Sequence, residues 1–169
     1  APAFEARAYR PLFDGWVLAG RLRWETVQEI GDTDFIPIFE RLFLGGSYTV
    51  RGYAFQELPP LDPDTENPLG GQTALNANLE LRFPIYGKLR GTVFMDAGQV
   101  DPEPFHVMLD EVRYAAGGGL RYDTVIGPLR LDFGYKINPP TRSDIGDFTD
   151  PDAEIGDRWR IHLNIGQTF

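Results

Sequence analysis

Apolar and polar residues alternate with period two over seven stretches of the chain, the pattern of strands whose two faces meet different surroundings. The clearest runs over residues 73–83: Leu75, Ala77, Leu79, Leu81 and Phe83 form one face, and Asn76, Asn78, Glu80 and Arg82 the other. Residues 89–97 set Leu89, Gly91, Val93 and Met95 against Arg90, Thr92, Phe94 and Asp96. Residues 113–123 set Tyr114, Ala116, Leu120 and Tyr122 against Arg113, Gly117, Gly119 and Arg121. A fourth strand follows Pro128, with Leu129, Leu131, Phe133 and Tyr135 opposed to Arg130, Asp132, Gly134 and Lys136. The last, over 159–169, opposes Trp159, Ile161, Leu163, Ile165 and Phe169 to Arg160, His162, Asn164 and Thr168. Upstream, residues 16–25 and 4–9 alternate in the same way. One face is almost free of charge in every strand; the other carries arginine, carboxylates and asparagine.

Alternation alone fits both a soluble sandwich and a membrane barrel, because it does not say which face is turned to water. Loop lengths separate the two. Short connections (11–15, 84–88 and 124–127) alternate strictly with long ones (27–72, 98–112 and 137–157). Short turns on one side and long loops on the other are the habit of transmembrane β-barrels, and a sandwich has no reason to sort its loops this way. Trp16, Tyr86, Tyr122 and Phe169 fall at strand ends on the short-turn side, where an interfacial aromatic girdle would lie. The expected fold is all-β: antiparallel transmembrane strands with essentially no helix.

Composition narrows the reading further. The 169 residues allow one domain, and the net charge of −9 argues against a nucleic-acid partner, which calls for a basic face. Glycine and proline, 19 and 14 residues, make long helices improbable. There is no cysteine, so disulfides and thiolate chemistry are excluded, and the two histidines, 106 and 162, are far apart. No apolar run reaches the roughly 18 residues of a membrane helix, and the first residues do not read as a signal peptide.

Candidate chemistry is sparse. No nucleophile elbow or metalloprotease signature is present, so no catalytic residue, metal or cofactor is expected. The carboxylates Asp144, Asp147, Asp150, Asp152, Glu154 and Asp157 crowd one loop without calcium-loop spacing, which reads as a solvated acidic loop. Gly117-Gly118-Gly119 lies within a strand with no helix behind it, and is expected to permit curvature or close packing against an inner loop. His162 reads as a polar lining residue. In the first long loop, 37–44 is too apolar for a solvated tip, so part of that loop is expected to be buried inside its own barrel.

The residues that follow carry a resemblance. Glu40-Arg41-Leu42-Phe43-Leu44-Gly45-Gly46 and then Val50-Arg51-Gly52-Tyr53 resemble the inward-folded loop of the outer-membrane protein assembly superfamily, which includes the BamA and TamA insertases and the two-partner secretion transporters. Leu79-Glu80-Leu81-Arg82-Phe83-Pro84, Val93-Phe94-Met95-Asp96-Ala97-Gly98, Gly127-Pro128-Leu129-Arg130-Leu131-Asp132 and the ending Asn164-Ile165-Gly166-Gln167-Thr168-Phe169 agree in order. The resemblance implies that residues 1–169 are the C-terminal part of a sixteen-stranded barrel in the bacterial outer membrane, with loop 28–72 folded into the lumen. Seven strands do not close a barrel, so the chain is expected to be an excerpt of a longer protein or to pair with other strands; an eighth strand near 39–44 is considered and not preferred. It further implies that Arg51 meets the wall acids Glu80 and Asp96, that Gly52 allows close backbone approach, and that Tyr53 packs the loop to the wall. Ile161, Leu163, Ile165 and Phe169 would form the C-terminal strand signal. The implied activity is insertion of client β-barrel proteins through the seam between first and last strands. Implied partners are the lipid bilayer, nascent clients, and the remaining strands with periplasmic domains or accessory subunits. The alternative is a transport pore for a secreted polypeptide.

Overall fold

The structure, a computed structural model, describes residues 2–28, 36–125, 127–146, 150 and 152–166. Seven strands follow one another in a single sheet: β1 (Ala3–Pro11), β2 (Val17–Thr26), β3 (Thr73–Tyr86), β4 (Leu89–Asp101), β5 (Arg113–Thr124), β6 (Gly127–Lys136) and β7 (Trp159–Ile165). Every neighbouring pair is antiparallel and consecutive in sequence, and the short turns after β1, β3 and β5 allow no other pairing. Among the described residues the only helical segments are three short 3-10 turns, Ile38–Glu40, Leu109–Glu111 and Arg142–Ile145. No strand forms near 39–44, which holds one of those turns and a single bridge, Leu42 to Gly71.

The burial of the two faces is the reverse of a soluble sheet. On the apolar face Leu79, Val93, Leu131, Ile161 and Leu163 are all about half exposed or more, up to 67% for Leu163. On the polar face Glu80, Asp96, Arg130, Asp132 and Lys136 are fully buried. Charged side chains are almost never buried in this number unless paired, and large apolar side chains are not left bare in a row beside water. The register enforces this segregation: Ala77 lies opposite Ala97 and Leu79 opposite Met95, while Glu80 lies opposite Phe94 and Asn78 opposite Asp96. A slip of one residue would put every carboxylate on the bare apolar face.

The polar face is covered by the chain's own loop between β2 and β3. The base of the loop is pinned where Val27 N donates to Gln72 O (2.7 Å) and where Leu42 and Gly71 exchange backbone hydrogen bonds. Leu44, Val50, Tyr53 and Leu58 of the loop form one apolar cluster with Ala74, Val100 and Ala115 of the sheet. At the short-turn end Trp16 stacks on Phe83 (4.9 Å) and Phe13 (5.5 Å), while Tyr86 and Tyr122 are exposed. Phe169 lies outside the described residues.

Strand β4 runs to Asp101, past the end at residue 97 expected from alternation, and overhangs β5, whose pairing with β4 stops at Arg113 opposite Gly98. The outward-facing residues of this tip, Gln99 and Asp101, are polar, which breaks the period-two signal. They are polar because loop 102–112 folds back over them: Phe105 N donates to Thr26 Oγ1 (3.2 Å) and the Phe105 ring lies 6.1 Å from Trp24.

Candidate functional site

The centre of the buried polar face is Arg51, fully inaccessible to solvent. Its Nε and Nη2 donate to the two oxygens of Asp96, each at 2.7 Å, forming a bidentate fork, and its Nη1 donates to Glu80. The backbone N–H of Arg51 adds a bond to Asp96 Oδ2 (3.0 Å), and the guanidinium carbon sits 3.5 Å above the Phe94 ring centroid. The planar fork matches two carboxylates and a ring face at once, which an ammonium does not. Both acids are held by further donors: Arg82 Nε to Glu80 (2.8 Å) and Asn78 Nδ2 to Asp96 (2.7 Å). Burial lowers the Arg51 pKa, but Asp96 and Glu80 more than offset this and hold it above the ordinary arginine value.

Gly52 and Tyr53 extend the contact. Gly52 has φ +95 and lies backbone to backbone on Gly134 of β6, so that a Cβ on Gly134 would sit 2.8 Å from the Arg51 carbonyl carbon and from Gly52 Cα. Neither surface has a side chain that can yield. Gly134→Ala is therefore expected to lift this part of the loop at a cost of about 1–3 kcal/mol, read as faster protease cleavage within 45–60 with the strands still folded. Wild-type protection in Gly134→Ala would contradict the contact. Gly52 N also donates to His162 Nε2 (3.4 Å). Tyr53 is fully buried, its OH donates to Asn138 O (3.1 Å), and burial pushes its phenol pKa well above the usual value.

Other seats were not anticipated from sequence. Glu57 accepts from Lys136 Nζ (2.7 Å), a fully buried lysine whose Nζ lies 4.8 Å from the Tyr53 ring centroid. Asn76 and Asn78 donate to Thr49 O at 3.2 and 2.5 Å, and Arg21 Nη2 on β2 donates to Tyr48 O (2.6 Å). Ser47 Oγ donates to Asn164 Oδ1 on β7 (3.3 Å). A second ionic cluster lies in the sheet itself, where Asp132 accepts from Arg121 and from Arg130 (2.8 Å). The only sequence signal for the strand residues among these is membership of the polar face, and Glu57 lies in a loop without periodicity.

Of the two roles expected of the glycine run, curvature or close packing against the inner loop, the second does not hold for Gly117 and Gly119, whose nearest atoms belong to the sheet. A Cβ on Gly117 would meet the Phe94 ring at 2.6 Å, and one on Gly119 would meet Asp132 and Arg121. These glycines make room for the backbone of the neighbouring strand and for side chains of the sheet, namely the ring under Arg51 and the second ionic cluster. In the acidic loop, Asp144 pairs with Arg113 (2.8 Å) and closes a capping box with Thr141, and Glu154 pairs with Arg158. Hydrogen bonds from Thr141 and Arg113 outweigh burial and hold Asp144 below the ordinary carboxylate range. Asp147 lies outside the described residues. Ile161, Leu163 and Ile165 line the exposed face of β7, more than half accessible.

The chain is 33% identical over 141 residues to the outer membrane protein assembly factor BamA of Nitratidesulfovibrio vulgaris, covering 81% of this chain and 18% of that protein. It is 27% identical over 171 residues to BamA of Neisseria meningitidis, covering 82% and 20%, and so spans about a fifth of the length of these relatives. It is 30% identical over 116 residues to the chloroplastic outer envelope protein 80 of Arabidopsis thaliana, covering 63% and 14%. The crystal structure of BamA from Haemophilus ducreyi lacking POTRA domains 1–3 superposes with a TM-score of 0.67 at 23% identity, covering 83% of this chain and 32% of that one. The seven-stranded sheet has the fold of that barrel. A model of the Omp85 superfamily domain matches residues 3–169, and the chain belongs to the Omp85 superfamily of outer-membrane proteins.

Proposed function

We propose that residues 1–169 are the C-terminal part of an outer-membrane barrel of sixteen strands, that loop 28–72 occupies its lumen, and that the whole protein inserts client β-barrel proteins into the outer membrane without covalent chemistry. The observation that carries this reading is the seat of Arg51 on Glu80 and Asp96 beneath a loop covering the polar face of a sheet, in a chain whose relatives are named assembly factors. In this reading β7 forms one side of the seam. An incoming strand would add to its free edge by backbone hydrogen bonds, an affinity indifferent to the client's sequence. Among the described residues both outer strands have a neighbour on one side only, and lipid does not tolerate an unpaired row of backbone donors and acceptors. The seam is thus where partners are required, whether the barrel's own first strand or a client's.

Depleting the whole protein from cells should lower the folded outer-membrane content of unrelated β-barrel proteins and raise their unfolded forms in the periplasm. Unchanged barrel levels, together with open-channel conductance in planar bilayers, would overturn the insertase reading in favour of a secretion pore.

A further inference from the structure

Strand β7 is laddered to β6 alone among the described residues, and two side chains of its polar face add ties to the loop. Ser47 Oγ donates to Asn164 Oδ1 (3.3 Å), and Gly52 N donates to His162 Nε2 (3.4 Å). The acceptor of the second tie, unlike a carboxylate or a carbonyl, titrates near neutral pH. A backbone N–H only donates, so the imidazole must offer a lone pair at Nε2, which it does only while that nitrogen is unprotonated. His162 is half-buried, so solvent protons reach it.

A proton on Nε2 would be opposed from each element packed against the ring. The new N–H would face the Gly52 N–H, donor to donor. The added charge would fall among three cations: Arg160 two residues away on β7, Arg130 on β6 and Arg51 in the loop. Asp132, opposite His162 on β6, is the acid it would meet, and that carboxylate already accepts from Arg121 and Arg130. Donors are in surplus there, since Arg130 Nε and Nη1 are buried with no hydrogen-bond partner. A protonated His162 thus loses Gly52 and gains no free acceptor in exchange.

We infer that His162 is a positioning residue for β7: its neutral ring ties the strand to the loop, and protonation releases it. The inference rests on the reading of β7 as one side of the seam. Its consequence is a seam edge held firmly at neutral pH and loosely in mild acid.

The test places nitroxide labels at Phe55→Cys in the loop and Leu163→Cys on the outward face of β7, both exposed positions in a chain without native cysteine. In the intact protein carrying this chain, in detergent, pulsed electron double resonance follows their separation from about pH 8 to about pH 5, the span in which an imidazole changes charge. The labelled protein with His162 in place should give one narrow distance at the upper limit and lose it to a broader, longer distribution at the lower one. His162→Gln, whose amide oxygen accepts at either limit, should keep the narrow distance throughout. His162→Leu, with no acceptor, should be broad at both limits. Distances that ignore pH with His162 in place, a pH step that persists in His162→Gln, or narrow distances at both limits in His162→Leu would overturn the inference. No client enters this measurement, so its failure leaves the seam reading to the depletion experiment, and failure of that reading leaves the pH-dependent tie to this one.

Discussion

Arg51→Ala is expected to release the loop from the sheet and to cost about 3–5 kcal/mol, the range for breaking a buried ion pair from one side. A surface pair would be worth at most about 1 kcal/mol, but Arg51, Glu80 and Asp96 are each fully buried. The substitution removes the fork on Asp96, the bond to Glu80 and the stacking on Phe94 together. It leaves two carboxylates on adjacent strands, with Arg82 and, at 3.8 Å, Arg121 beside Glu80 and Asn78 on Asp96. Arg51→Lys should recover only part, since a point charge cannot bridge both acids. Joint replacement of Arg51 by methionine, Glu80 by glutamine and Asp96 by asparagine should recover stability while losing the fixed loop position, because a neutral buried set carries no orphaned charge. Unfolding midpoints in detergent, with protease protection of the loop, measure both quantities. A wild-type midpoint for Arg51→Ala would refute the buried clamp.

The second large effect is expected at Asp132. Arg121 and Arg130 are directly opposite one another on β5 and β6, an arrangement of like charges that destabilises a strand pair. Asp132, opposite Gly119, accepts from both, and Arg130 and Asp132 are fully buried. Asp132→Ala would leave two buried guanidinium groups facing each other, again at about 3–5 kcal/mol. Adding Arg130→Met should return part of that loss by removing the repulsion. Amide exchange should rise along β5 and β6, and because Arg130 also donates to Ser47 O (3.2 Å) the protease protection of 45–60 should fall too, though less than in Arg51→Ala. Equal stability of Asp132→Ala and wild type would show that the row of arginines needs no shared carboxylate.

The faces of every strand were legible in the sequence because side chains alternate with a period of two whatever the neighbours are. The Arg51 seat was legible only through a resemblance, since Arg51, Glu80 and Asp96 are separated by dozens of residues and periodicity gives a face, not a partner. The pairing of Arg121 and Arg130 around Asp132 was hidden for the same reason: it depends on register between strands, and no local signal encodes it. Gln99 and Asp101 broke the alternation that would have extended β4, because a loop and not lipid covers them. Lys136 looked like one more polar-face charge, and its partner Glu57 lies in a loop without periodicity.

The consecutive residues Ser47 and Tyr48 touch strands five apart in the sheet, Tyr48 through Arg21 on β2 and Ser47 through Asn164 on β7. Laid flat, the five inter-strand steps between β2 and β7, each of about 4.8 Å, would hold those strands about 24 Å apart. Strand side chains stand roughly perpendicular to their sheet, so on a flat sheet these two would remain that far apart. Their convergence on neighbouring residues means that the strands are rolled around the loop as around a mandrel. The radius of that roll is then a property of the loop and its seat as much as of strand twist. Any event that lifts the loop would change the angle at which the two free edges meet whatever stands beside them.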